Sequence, residues 1–470
     1  MLLFFKVLCL KKNEDDKFYS DFFLEDNVSP IRHSEIDQKA FEKALRWKEV
    51  TAIPNPEPKS QILEAFNYFM DNMEPSDYDR STIRKCIQLV CIDLDKDDDE
   101  QQIFNVINSS GVDLTTADLL KNYFYHRENI DDFKANWVPI FEKDDDVKAY
   151  WDQEIITGRL RRSLIDIFFA SFFQILIQDK RFNVRTEDKI AYDRVDVLAS
   201  SYEKFIATYC DNDKSIVLHE MAEYARLFMN IFQPDCCNRS MPQRAGIERI
   251  NVLIFGVGLT TLIPYVLYVE KNVTDKEERN RIYGDLESYF MRRMIVQATG
   301  KNYNRLSASL INSEVLSGKD LESRFAQSNE ATTYVPTDKD LEHGFMNSRL
   351  INDQSRSILY FIESSLQPAN SAMMMLGIKN YSLEHLMPKK WRNHWTSCAT
   401  DEEARERDIK LLTLGNLAII PQALNASIRD GDWSTKKVGK GEDKPGCRIR
   451  KNGTAVSLSR HAVSLQRNAQ

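Results

Sequence analysis

Residues 383–388 read Leu-Glu-His-Leu-Met-Pro; further on the chain reads Leu414-Gly415-Asn416-Leu417 and then Asn425. An acidic residue beside a histidine, a nearby proline, an Asn-Leu pair and a later polar residue together suit metal-assisted phosphodiester hydrolysis. That reaction needs a base to activate water, and the imidazole of His385 is neutral at pH 7. It also needs a hard cation to neutralise charge on the phosphate and the leaving oxygen. Mg²⁺ or Mn²⁺ keeps several of its waters, so one carboxylate, Glu384, and one amide oxygen, Asn425, suffice as protein ligands. Around these residues, Tyr381-Ser382-Leu383 and the run 411–420 read as short apolar strands. The stretch 389–410 between them is a long loop with a helical pattern over 401–410. Residues 425–428, with Trp433 and Lys436-Lys437, read as a loop and a short helix. The order is strand, long loop, strand, helix.

That order resembles the HNH, or ββα-metal, endonucleases, in which the histidine closes the first strand and the last ligand opens the helix. A narrower resemblance comes from elsewhere in the chain. The run from Ile103 to Leu120 carries Ile-Phe, then Asn108-Ser109, Gly111, Leu114 and Asp118-Leu119. It looks like a stretch of the GmrSD-type restriction proteins. Tyr289-Phe290-Met291-Arg292-Arg293, Thr299-Gly300-Lys301-Asn302-Tyr303-Asn304 and the run from Arg356 to Glu363 match in family order. The resemblance covers roughly residues 1 to 437. It implies a bacterial defence enzyme with a ParB/sulfiredoxin-like nucleotide-hydrolysing domain joined to an HNH domain. The expected fold is mainly α with small α+β parts. Its domains are a ParB-like remnant over 1–146, a helical middle domain over 147–340 and a ββα-metal nuclease domain over 341–470. The roles implied are His385 as general base, Asn416 as the residue bracing the hairpin, Glu384 and Asn425 on Mg²⁺ or Mn²⁺, and Lys436 and Lys437 on DNA phosphates.

One motif of the family is missing. Its Asp-Gly-Gln-Gln-Arg sequence, near the start of the nucleotide-hydrolysing domain, does not occur here. Residues 1–12 look like the helix that follows that motif, so the expectation is an N-terminally truncated relative that does not hydrolyse nucleotide on its own. No Gly-rich phosphate loop takes its place.

Composition fits an ordinary globular protein: 470 residues, 42% hydrophobic and 29% charged, enough chain for several domains and a sizeable core. The eight cysteines form no Cys-x-x-Cys pair, which points to reduced thiols in a cytosol rather than a disulfide or zinc framework. Net charge is −8, but its distribution is uneven. Residues 381–470 hold 16 Lys+Arg against 10 Asp+Glu, a net of +6, so the first 380 residues carry −14. The basic end is the nuclease-like end, as phosphate binding requires.

The remaining chain reads as largely helical. Runs 160–177, 216–232 and 281–296 carry apolar residues at three- and four-residue steps. Phe168, Phe169, Phe172 and Phe173 are expected in the core rather than as base-stacking platforms. Residues 86–94 read as a strand, and the acidic run 93–100 after it as a solvated loop. Thr115 or Thr116 should cap a helix over 116–126. Residues 144–146 and 328–340 are candidate linkers. The apolar run 250–269 is long enough to span a bilayer, but Asn251, Pro264 and close flanking charges favour a buried helix pair broken near Pro264. The sequence supports a DNA endonuclease, with an inactive or regulatory relative and an RNA-cutting toxin as alternatives. DNA, modified or not, is the expected partner, with self-association open and no membrane involved.

Overall fold

The computed structural model describes residues 1–438 apart from 24–28, 30, 32, 34, 57–58, 87–114, 126–129, 159, 193–196, 329, 368–374, 394, 396 and 429–430. The described chain is mainly helical and carries two small antiparallel sheets of two strands each. It divides into two compact units, Met1–Asp98 and Asp99–Gln470. The expected strand over 86–94 and the acidic run after it lie outside the described residues, except that Cys86 ends a helix, Arg80–Cys86.

The first unit is built around the helix Leu2–Lys11. Its sequence is apolar on nearly every face, so it can only be an interior helix, and Phe5, Val7, Leu8 and Leu10 are buried. Its one interior charge, Lys6, is fully enclosed. Lys6 pairs with Asp15, donates to the Tyr19 hydroxyl at 3.2 Å and lies against the Phe18 and Tyr19 rings. A buried ammonium needs such a shell, because isolation in an apolar interior is costly.

The second unit opens with the helix Thr116–Phe124. Thr115 caps it as expected, in a reciprocal capping box with Asp118. Asp144 caps the helix Asp145–Asp152 rather than lying in a linker, and Trp151 anchors that helix in the core. The helix expected from residue 160 begins later. Strands β1 (Glu154–Thr157) and β2 (Leu160–Ser163) pair around Gly158, whose φ of +65° suits glycine. Ser163 then caps the helix Leu164–Gln178, in which Phe168, Phe169, Phe172 and Phe173 are all fully buried. Helices Lys214–Ile231 and Lys276–Ile295 follow the expected periodicity.

Residues 250–269 are broken as expected, just before Pro264. The helix Ile247–Asn251 runs into a π turn, Val252–Gly256, and the helical path ends before Gly258, which has φ +91°. Pro264 sits in the first turn of the next helix, Ile263–Asn272, where its missing N–H has no intrahelical partner to lose. Ile250, Leu253, Ile254, Val266 and Leu267 are fully buried. Asn251 is satisfied inside this apolar run: its Nδ2 donates to Ile231 O at 2.7 Å and its Oδ1 accepts from Gln233 N at 3.0 Å. Among the described residues no helix is long and apolar enough to cross a membrane.

The second sheet pairs β3 (Tyr381–His385) with β4 (Leu417–Pro421), with His385 opposite Leu417 and Tyr381 opposite Pro421. Leu417 to Ile420 are all buried, because β4 packs on the helix Asn352–Leu366 and on the helix Gln422–Ile428. A strand covered on both faces reads as a continuous apolar run, as Leu-Ala-Ile-Ile does. The turn before β3 is fixed from below. A Cβ on Gly377 would lie 2.3 Å from the Asn238 carbonyl carbon and 2.5 Å from Cys237 O, so only glycine fits where this turn meets the 237–239 backbone.

Candidate active site

The pairing of β3 with β4 brings the two separated motifs together. Glu384 and His385 end β3, and Asn416 immediately precedes β4. Asn416 holds the backbone on both sides of the long loop. Its Oδ1 accepts from Met387 N at 2.7 Å, and its Nδ2 donates to Met387 O at 3.0 Å and to Leu411 O at 2.9 Å. Its own carbonyl accepts from Leu386 N at 2.8 Å. This bracket fixes the backbone that directly follows His385.

His385 Nε2 is enclosed and has no hydrogen-bond partner. A buried polar atom without a partner costs about 1–3 kcal/mol. Burial, with Lys389 and Lys436 nearby, pushes the His385 pKa down to about 4. Its imidazole is therefore neutral at pH 7 and able to accept a proton. The sign for stability follows: the folded state resists protonation, so this group favours folding above its unfolded pKa near 6.5 and loses that contribution as pH falls toward 4. In the metal-free protein without DNA, the His385 ring resonances are expected to stay at their neutral positions between pH 7 and 5.5. An NMR titration showing a midpoint near 6.5 would contradict that environment.

Glu384 is the one buried residue of β3, 5% exposed. Its carboxylate pairs with the ammonium of Lys436, which also donates to His385 O at 2.6 Å. Burial raises the Glu384 pKa, and Lys436 and the His385 N–H pull it back. Lys436 itself is 2% exposed. This corrects the expectation for that residue: as it sits, Lys436 is not a surface contact for phosphate but the internal partner of the site's acid. Lys437 follows it in the helix Trp433–Val438, with its side chain outside the described residues. Asn425, on the helix Gln422–Ile428, donates through Nδ2 to Ser382 Oγ at 2.9 Å and Leu383 O at 3.4 Å. Its amide nitrogen is thus committed to β3 beside Glu384, leaving Oδ1 as the polar atom for another partner.

These residues can be compared with what a divalent cation needs. One carboxylate and one amide oxygen are hard oxygen donors of the type Mg²⁺ and Mn²⁺ accept. They are fewer than a protein cage: among the described residues, no three His, Cys, Asp or Glu side chains gather as a metal site. The donor chemistry fits a cation that keeps most of its waters, and in this structure Glu384 faces the Lys436 ammonium.

The loop after β3 carries aromatic and basic groups. Trp391 is buried, bonds Asp408 through Nε1 at 2.9 Å and lies under the Arg392 and Arg407 guanidinium groups. It ties the loop after β3 to the helix Asp401–Lys410. Two other motifs of the sequence have a structural explanation. Arg293 is fully buried and donates to Tyr334 O and Thr299 O at 2.7 Å, Thr332 O at 2.9 Å and the Tyr303 hydroxyl at 3.3 Å. The rings of Tyr289, Tyr303 and Tyr334 surround it. Residues 289–293 and 299–304 therefore form a structural knot rather than a second reactive centre.

Comparison with family models gives two matches. Residues 3–125 match the GmrSD restriction endonuclease N-terminal domain, and residues 335–444 match the GmrSD restriction endonuclease C-terminal domain. The second match contains every residue of the hairpin site. No curated protein and no solved structure matches the chain.

Proposed function

Because the chain belongs to the GmrSD restriction endonuclease family, with its two domains in order, we propose that it is a metal-dependent, HNH-type DNA endonuclease of a bacterial defence system acting in the cytoplasm. The observation that carries this reading is the neutral, enclosed and unpartnered Nε2 of His385 at the end of a braced strand. Such a nitrogen is a proton acceptor waiting for a donor, and the donor in phosphodiester hydrolysis is the attacking water.

In this reading His385 takes the proton of that water as its oxygen attacks phosphorus and the bridging oxygen leaves. A DNA phosphate arriving beside the imidazole brings negative charge and raises its proton affinity from the low value of the free protein. Asn416 keeps the ring aimed by fixing Met387 and Leu411. Glu384 and Asn425 would hold Mg²⁺ or Mn²⁺, which when bound supplies charge neutralisation at the phosphate. The basic excess of residues 381–470 draws the polyanion to this end of the chain.

The test offers plasmid DNA, with and without base modification, and single-stranded RNA in one reaction, with Mg²⁺, Mn²⁺ or EDTA. Nicking of at least one plasmid with metal, and none with EDTA, is expected. Cleavage of the RNA alone would replace DNA by RNA as the substrate. Intact nucleic acid under every condition would leave a binding or regulatory protein.

A further inference from the structure

The Lys436–Glu384 pair sits where the proposed function needs a cation. The carboxylate is nearly enclosed, and one of its oxygens is already met by an ammonium that is itself almost fully buried. The same ammonium donates to a second anchor, the His385 carbonyl oxygen, at 2.6 Å. Lys436 comes from a short helix 52 residues beyond Glu384, so this is a specific tertiary seat. A divalent ion and an ammonium cannot share one buried carboxylate without strong like-charge repulsion in a poorly screened environment.

We propose that Lys436 is a resident cation that exchanges with the metal: it neutralises Glu384 in the metal-free protein, and metal binding expels its ammonium from the seat. Released, the side chain stays tethered one helix away and becomes available to the phosphate that arrives with the DNA. The exchange keeps Glu384 charged, paired and in place when no metal is present. It also links metal loading to the exposure of a DNA-binding charge. Lys436 acts through Glu384 here and is a positioning residue. The inference rests on the nuclease reading, in that Glu384 is taken as a metal ligand.

Two measurements on the full chain, without DNA, test it. In the first, Mn²⁺ is titrated by electron paramagnetic resonance into wild type and into Lys436→Met, Lys436→Arg and Glu384→Gln. Lys436→Met is expected to bind Mn²⁺ at least about tenfold more tightly, since an unpaired buried carboxylate gains most from a new cation. Lys436→Arg keeps a competing cation and should not tighten, and Glu384→Gln should lose the ion. In the second, wild type is acylated at its amines and mapped by mass spectrometry, a measurement that needs no variant to fold. Lys436 should be protected without Mn²⁺ and labelled several-fold more with it. If wild type binds Mn²⁺ through Glu384 while Lys436 stays protected and Lys436→Met gains nothing, the exchange is overturned and the nuclease reading stands. If neither wild type nor Lys436→Met binds Mn²⁺, the metal reading fails and the exchange fails with it.

Discussion

Replacing His385 by alanine is expected to lower strand cleavage by roughly 10²–10⁴-fold or more while DNA binding survives. The imidazole of His385 is enclosed, lacks a partner at Nε2, and is held neutral by burial. Its loss removes the proton acceptor but none of the positive charge that draws DNA to residues 381–470. The substitution also leaves the Asn416 bracket untouched, because those bonds run to Met387 and Leu411 backbone. The checks are a nicking time course and a filter-binding or fluorescence-anisotropy titration on the same preparation. If His385→Ala cleaves as fast as wild type with the same metal, the hairpin is structural and the protein acts by binding.

The second large effect concerns stability. Arg293→Met is expected to destabilise the second unit by about 3–5 kcal/mol, the cost of breaking a buried charged network from one side. Arg293 is unusual in how its charge is compensated. Its hydrogen bonds run to three main-chain carbonyls and a tyrosine hydroxyl rather than to a carboxylate, and three tyrosine rings surround the guanidinium. Methionine fills part of the volume but leaves those carbonyls without donors. Arg293→Lys should recover less than half of the loss, because an ammonium has three donors and no planar face to stack. Chemical denaturation followed by circular dichroism reads the shift. Hydrogen exchange should show the loss of protection concentrated over 299–334, the segment tied by these bonds. A midpoint within 0.5 kcal/mol of wild type, by the usual scale of harmless substitutions, would show that the network contributes little.

Much of the hairpin was legible because its information is local. Glu-His-x-x-Pro, the apolar run before Pro421 and the Asn-Leu pair each specify a short element, and their order specifies how the elements pair. The bracing position of Asn416 follows from the same order. The role of Lys436 was not legible. A lysine next to a lysine in a basic segment reads as solvent-facing, and only the packing of its six-residue helix onto β3 buries it against Glu384. The start of the helix Leu164–Gln178 was misread for a related reason: Leu160 stands four residues before Leu164 and so continues the helical spacing, but it belongs to β2, and the cap at Ser163 starts the helix. In residues 250–269 the break near Pro264 was legible, and the positive φ at Gly258 falls within it. Proline was tolerated because it falls in a first helical turn.

The Asn416 bracket has a consequence for descent. One side chain closes the neck of the excursion between β3 and β4, touching Met387 on the way out and Leu411 on the way back. What lies beyond a closed neck is insulated from what lies below it. Each doubling of a flexible loop costs only about 0.6 kcal/mol in closure. The segment 390–410 can therefore lengthen, shorten or be rewritten between lineages while Glu384, His385 and their strand pairing stay in register. This geometry gives selection a part to alter without disturbing the strand pairing below it.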